Sequence, residues 1–233
     1  MKKFFIVFLI AAFAIPVLAK EGRTEVTDRL NDAAKVLDEL MGTPDNSIPE
    51  TVLGKAKCVA VIPSMVKGGF VIGGRHGRGV VTCRTANGWS APAFISLTGG
   101  SWGAQIGLEK VDLVLVFMNK RGVDSLLKDN FKMGADASVA AGPVGRHAEA
   151  ATDAKLNSEI LAYSRAKGLF AGLELNGAAV KPDNDSDVAF YGRDINWRET
   201  LSGTMKAPAG ADPFIDAVRK YFVEAREDKG KRQ

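Results

Sequence analysis

The chain has 233 residues, 46% of them apolar and 25% charged, which fits one domain with a real hydrophobic core. Its 31 basic residues against 27 acidic ones give a formal charge of +4, and Lys2 and Lys3 supply part of that excess. Without them the chain is nearly balanced, which excludes the strongly basic signature of a nucleic-acid binder.

The first residues read as a secretory signal. Lys2 and Lys3 form a positive start, Phe4 to Ala14 an apolar run, and Val17-Leu18-Ala19 a small-residue cleavage site, so the exported chain is expected to begin at Lys20. The alternative, a retained membrane anchor, has against it Pro16 and an apolar run shorter than the roughly 20 residues a spanning helix needs. Lys20 in place of Cys gives no sign of a lipid-modified N-terminus. The expected product is one domain over residues 20–226, located in the periplasm or secreted, with a polar tail at 227–233.

From Thr24 to Met41, Val26, Leu30, Ala33, Leu37 and Leu40 recur at three- and four-residue spacing and predict an amphipathic helix, stopped by Gly42 and Pro44. Its polar face carries Glu25, Asp28, Asp32, Asp38 and Glu39 against Arg29 and Lys35, an acidic face not drawn to anionic lipid. Pro49-Glu50 starts a second short helix ending near Lys55. The segments 58–62, 70–72, 79–83, 93–97 and 111–117 are short, rich in β-branched residues and separated by Gly, Pro and Asn, as strands at hairpin spacing are. Asn87-Gly88 is one turn signal among them. A short helix is expected over 122–129, and further strands over 138–141 and 159–164. Asp212-Pro213 opens a last helix with the stripe Phe214, Ala217, Val218, Tyr221, Phe222 and Ala225, and the tail from Glu227 is expected to fray. The pattern predicts an α+β fold: a compact Gly-rich antiparallel β core, sandwich- or barrel-like, with an N-terminal and a C-terminal amphipathic helix.

A faint echo at an offset of one hundred residues aligns Ser64, Lys67, Gly68, Phe70, Gly77 and Val80 with Ser164, Lys167, Gly168, Phe170, Gly177 and Val180. It suggests two copies of a strand–turn–strand unit with a Lys-Gly corner. Cys58 and Cys83 are a possible disulfide in an oxidising compartment. If 57–62, 69–74 and 78–84 formed a three-stranded meander, the two cysteines would stand two strand spacings apart, about 9.6 Å. That exceeds the roughly 7 Å reach of a bridge, and two buried thiols are the other reading.

Gly68, Gly69, Gly73, Gly74, Gly77 and Gly79 fall within twelve positions, followed by Gly99, Gly100, Gly103 and Gly107. Such crowding serves turns, bulges and close backbone approach. Gly74-x-x-Gly77-x-Gly79 reverses the dinucleotide fingerprint and leads into a strand, so no nucleotide is expected. Gly99-Gly-Ser101-Trp-Gly103 satisfies the pattern of a nucleophile elbow but runs toward a strand, and the later histidine is His147; a serine hydrolase at Ser101 is a remote alternative. Two histidines and two cysteines without paired spacing offer no metal site, and no cofactor is expected. Lys55, Lys57, Lys67, Arg75, Arg78 and Arg84 cluster in sequence near Met65 and Phe70. They form either a cationic, partly apolar surface for anionic headgroups or a solvated hairpin rim.

Ordered short blocks carry a family resemblance. Ala56-Lys-Cys-Val-Ala-Val-Ile-Pro63, Lys67-Gly-Gly-Phe70, Gly77-x-Gly-Val-Val81, Trp89-Ser-Ala-Pro92, Gly103-x-Gln-x-Gly107, Gly142-Pro-x-Gly-Arg146, Tyr163-Ser-Arg-x-Lys-Gly-Leu-Phe-Ala-Gly172 and Phe190-Tyr-Gly192 resemble the SYLF domain over roughly residues 50–192. The chain is most similar to exported bacterial members, which consist of this domain behind a signal peptide. Gly68, Gly77, Gly79, Gly103, Gly107, Gly142, Gly168 and Gly172 fall in these blocks and are expected to be structural. The resemblance implies lipid binding: eukaryotic relatives bind phosphoinositides, and the fungal ones also bind and bundle actin. Eukaryotic members use a basic amphipathic N-terminal segment, whereas helix 24–41 here is acidic. An exported bacterial protein would meet neither actin nor, ordinarily, phosphoinositides. The expected partner is therefore an anionic membrane phospholipid, held by Lys67, Arg75, Arg78, Arg84, Arg146 and Lys167 with Phe70 and Trp102 as apolar neighbours, in a protein that is not an enzyme. A cell-envelope interaction module that needs no lipid is the second expectation.

Overall fold

A computed structural model describes residues 21–43, 47–70, 72–102, 107–144, 158–166, 169–170 and 175–231. In chain order the elements are α1 (Arg23–Met41), α2 (Glu50–Lys55), β1 (Cys58–Phe70), β2 (Ile72–Thr85), β3 (Gly88–Trp89), β4 (Ala93–Trp102), β5 (Gly107–Phe117) and α3 (Lys120–Leu126). There follow β6 (Phe131–Lys132), β7 (Val139–Ala141), β8 (Ile160–Ala166), β9 (Leu169–Phe170), β10 (Ala179–Pro182), α4 (Asn184–Tyr191), α5 (Trp197–Ser202) and α6 (Asp212–Lys231). The strands form one curled sheet, a half-barrel, in the order β6-β10-β4-β2-β1-β5-β8-β7, with β3 added to β2 and β9 to β8. Pairing is antiparallel except between β7 and β8. This is the α+β class that the pattern predicts, with helices at both ends of the chain.

The run Cys58-Val-Ala-Val-Ile62 explains why the sheet has a core on each side. Val59 and Val61 join Val80, Phe94, Val114 and Val116 beneath α1 and α6, whose Leu30, Leu37, Phe214 and Phe222 cover them. Cys58, Ala60 and Ile62 turn the other way, to Val81, Ile95, Leu113 and Leu115, and are closed over by Leu126 of α3, Phe131 and Trp197 of α5. A strand buried on both faces needs apolar side chains at every position, so its sequence is a continuous run rather than an alternation.

Three expected strands prove to be one hairpin. β1 does not stop at Ile62, because the register slips between Val61 and Val66, and this bulge absorbs Pro63 and a positive-φ Ser64 (φ 49°). The Ser64 N–H is taken up by Asp112 Oδ1 at 2.9 Å. β2 likewise runs unbroken through its glycines. Cys58 and Cys83 are therefore directly opposed on adjacent strands, not two spacings apart. The Arg84 N–H donates to the Lys57 carbonyl, which puts the cysteines at the neighbouring non-hydrogen-bonded position, where paired backbones approach closest. Their Cα atoms are 3.9 Å apart and the sulfurs are joined in a disulfide.

The hundred-residue echo does not describe a repeated unit. Lys67-Gly68 lies inside β1 rather than at a corner, and Gly77 lies inside β2 whereas Gly177 occupies a turn at φ 78°; Lys167-Gly168 is outside the described residues. The tail expected to fray from Glu227 continues α6 as far as Lys231.

Close approach explains two of the expected structural glycines. A Cβ on Gly79 would meet the Val61 carbonyl oxygen at 2.4 Å, and one on Gly142 would meet the Tyr163 ring at 2.1 Å. Gly79→Ala must push β2 away from the bulged part of β1, and urea unfolding should show a loss of about 2–3 kcal/mol. Replacing both Cys58 and Cys83 by Ala opens a cross-link between residues 25 apart in sequence. The urea midpoint should drop, corresponding to about 2–4 kcal/mol, and dithiothreitol should lower the wild-type midpoint to match.

Candidate functional site

The glycine crowd becomes a place once the strands are paired. Across β5, β1, β2 and β4, Lys110, Val66, His76 and Thr98 form one row, and Leu108, Gly68, Gly74 and Gly100 form another on the same face. Between them lies the row Glu109, Lys67, Arg75 and Gly99, pointing to the opposite face, followed by Gly107, Gly69, Gly73 and Ser101. The hairpin closes with Phe70 opposite Ile72, and Ile72 opposite Trp102. One end of the sheet is thus nearly bare backbone, the setting in which another surface can come close. Leu108 stands out of it at 84% exposure and Val66 at 39%, the two exposed large apolar side chains among the described residues. Lys110 beside them is exposed and Lys67 half-buried.

The cations expected to share one surface are divided by the fold. Lys67, Phe70, Arg75 and Trp102 are brought to this end, but Arg75 is buried and its Nη2 donates to the Gly100 carbonyl at 2.9 Å, tying β2 to β4. Arg78, three rows further in and on the opposite face from Arg75, pairs with Glu21 at 3.0 Å and Asp183 at 3.5 Å. Arg84 lies at the far end of β2, where its guanidinium stacks 4.6 Å from the Trp89 ring centroid and donates to the carbonyls of Ala56 and Phe222. It fastens α6 to the sheet. Arg146 and Lys167 lie outside the described residues, as do Gly103, Gly168 and Gly172. Lys110, which sequence reasoning missed because it directly precedes the apolar run 111–117, is the cation the register adds. Ser101 lies in β4 opposite Gly73, and the next described element is the strand β5 from Gly107, not the helix a nucleophile elbow enters.

A polar network holds the start of the described chain. Glu21 accepts from Arg29 and Arg78, and the Ser186 hydroxyl lies between its carboxylate and that of Asp183. Burial alone would raise the Glu21 carboxyl, but the hydrogen bonds from Ser186 and Arg29 and the charges of Arg29 and Arg78 outweigh it and hold the group below its ordinary value. Next to the network, Asp187 Oδ1 accepts the Phe94 N–H at 3.0 Å, while Oδ2 is buried without a hydrogen-bond partner. Burial pushes the Asp187 carboxyl up to about 7, with the Phe94 N–H opposing the shift and the charge of Asp183 adding to it.

The family model described as "Ysc84: Las17-binding protein actin regulator" matches residues 98–221, from the glycine end of β4 to α6. The chain belongs to the Ysc84 (SYLF) family. Over 207 residues it is 38% identical to Protein YSC84 of Saccharomyces cerevisiae, covering 84% of this chain and 44% of the yeast protein. It is 35% identical to SH3 domain-containing YSC84-like protein 1 of Rattus norvegicus, covering 86% of this chain and 60% of the rat protein. LAS seventeen-binding protein 3 of Saccharomyces cerevisiae matches at 35% over 210 residues, 45% of its length. The chain therefore spans about half the length of these curated relatives. In this Ysc84 domain the family blocks near residues 77–81 and 89–92 are sites of tight packing, with Gly79 against β1 and Trp89 edge-on to Phe222.

Because the folded Asp187 carboxyl titrates near 7 and an unfolded one near 3.8, the folded state holds a proton that the unfolded chain releases. The stability this contributes is present at low pH and lost as pH rises toward 7. Asp187→Asn keeps an oxygen for the Phe94 N–H and removes the titration. The variant should gain on the wild type by on the order of 2 kcal/mol between pH 5 and pH 8, measured by urea unfolding at each pH.

Proposed function

We propose that this SYLF-domain protein is exported and docks on anionic membrane surfaces through the glycine-rich end of its sheet, catalysing no reaction. The observation that carries the reading is Leu108, 84% exposed, rising from a row of glycines with Val66 and Lys110 in the next row on the same face. An apolar side chain of this size gains about 1.5–3 kcal/mol on leaving water, and each lysine near a charged bilayer adds about 1 kcal/mol. Phe70 and Trp102, placed at the strand ends, extend the same edge. Export is supported by the leader-like first 19 residues and by the Cys58–Cys83 disulfide, a bond that persists in oxidising compartments.

The Las17-binding description of the family and the name LAS seventeen-binding protein 3 attach protein partners to relatives of this chain and favour a second reading, in which the domain carries a protein partner in the cell envelope. Flotation separates the two. The protein should rise with vesicles containing phosphatidylglycerol and not with phosphatidylcholine alone, and the difference should vanish in high salt. Leu108→Asp should weaken flotation at least tenfold, and Lys110→Glu should weaken it severalfold. Equal behaviour toward neutral and anionic vesicles would count against lipid docking, and a stable envelope partner recovered by pull-down would then support the second reading.

A further inference from the structure

The opposite end of the central hairpin, some twelve residues and roughly 40 Å along β1 from Phe70, holds a cavity of about 290 Å³. Its floor is apolar: the Cys58–Cys83 disulfide, Leu127 and Leu201. Around it stand four cations from four separate places in the chain, Lys57 before β1, Arg84 in β2, Lys120 opening α3 and Arg198 in α5, and no carboxylate among the described residues lines it.

These cations differ in how firmly they are held. Arg84 is committed elsewhere: its guanidinium is held over the Trp89 ring by the Ala56 and Phe222 carbonyls, on the α6 side of the sheet and across from the disulfide. Lys57 is exposed. Lys120 pairs with Asp124 at 2.7 Å and Arg198 with Asp129 at 3.4 Å, both at the protein surface. Exposed pairs of this kind are worth little in water, so an incoming anion can draw either cation inward at small cost.

We infer that this cavity is a binding site for a small single-chain amphiphile with one anionic head, an alkyl phosphate or carboxylate. The head meets Lys57, Lys120 and Arg198, and the chain lies on the disulfide and the leucines. The volume stands at the lower edge of ligand pockets, about 300 Å³, which excludes a two-chain phospholipid. The site lies away from the glycine rows and does not depend on membrane docking there.

Isothermal titration with octyl phosphate, kept at concentrations where it is monomeric, tests the assignment, with inorganic phosphate and octylamine as the comparison probes. Octyl phosphate should bind at least tenfold more tightly than inorganic phosphate, and octylamine should not bind. Lys57→Glu and Arg198→Glu should each weaken octyl phosphate at least fivefold, and both together at least twentyfold. The paired variant should still float with phosphatidylglycerol vesicles, whereas Leu108→Asp should keep octyl phosphate and lose flotation, so the two sites fail separately. Equal affinity for octyl phosphate and octylamine, equal affinity for octyl phosphate and inorganic phosphate, or no effect of the paired variant would each overturn the inference. Vesicles of phosphatidylglycerol that compete with octyl phosphate would reassign the cavity to bilayer headgroups and overturn it as well.

Discussion

The first five residues of β1 have protein on both sides, and every one of them, Cys58 to Ile62, is completely buried. That burial forces the rest of the arrangement. β2 and β5, which flank β1, must also be apolar on both faces where they run beside it, and two separate sets of helices and loops are needed to cover the sheet. Where β1 emerges from between these layers, at the bulge around Pro63 and Ser64, the requirement ends. Glycine then replaces valine and isoleucine, on β1 and on its neighbours in the same rows. The same four strands are thus a double-sided core at one end and a nearly bare ribbon at the other.

Arginine and lysine divide the work of positive charge in a way that their nearness in sequence conceals. Arg29, Arg75, Arg78 and Arg84 each join segments distant in the chain, through Glu21 and Asp183, the Gly100 carbonyl, or the Ala56 and Phe222 carbonyls. The planar guanidinium presents several donors at fixed angles and stacks on aromatic rings, so it can serve as a partly buried tie. Lys57, Lys67 and Lys110 remain at or near the surface, where a strongly hydrated ammonium on a flexible stem belongs. A cluster of cations in sequence is therefore weak evidence of a cationic patch until the arginines have been given their carbonyl and carboxylate partners.

The long elements were legible because burial leaves a repeat: Val26, Leu30, Ala33, Leu37 and Leu40 are all buried on α1, and Phe214, Ala217, Val218 and Phe222 on α6. The apolar centres of β1, β2, β4 and β5 were legible too, but their ends were not. Pro63 and the paired glycines read as breaks when taken singly, although a bulge accommodates the first and sheet pairing the others. The misplaced ends led directly to the argument against the disulfide. α4 and α5, of eight and six residues, are too short for periodicity to reveal. Their caps were written in the sequence nonetheless: Asp183 and Asn196 accept the first N–H groups, and Gly192 and Gly203 close the ends in the left-handed conformation. Of the candidate site, the residue types were readable, but which cations face solvent depended on register and on partners up to 138 residues away.

Two carboxylates with perturbed protonation, Glu21 and Asp187, lie apart from both candidate surfaces. Glu21 and Asp187 belong to the network joining α1, β2 and α4, near the middle of β2, while the glycine rows and the cationic cavity occupy its two ends. Changing pH between 5 and 8 should therefore act on the stability of the whole domain through Asp187. Salt reaches the opposite set: it screens exposed lysines and surface ion pairs and leaves the buried ties largely untouched. A response to salt without a response to pH reports the surfaces, and a response to pH without one to salt reports the fold. That separation follows from where the chain has put Glu21, Asp183 and Asp187, inside and shared, and Lys57 and Lys110, outside.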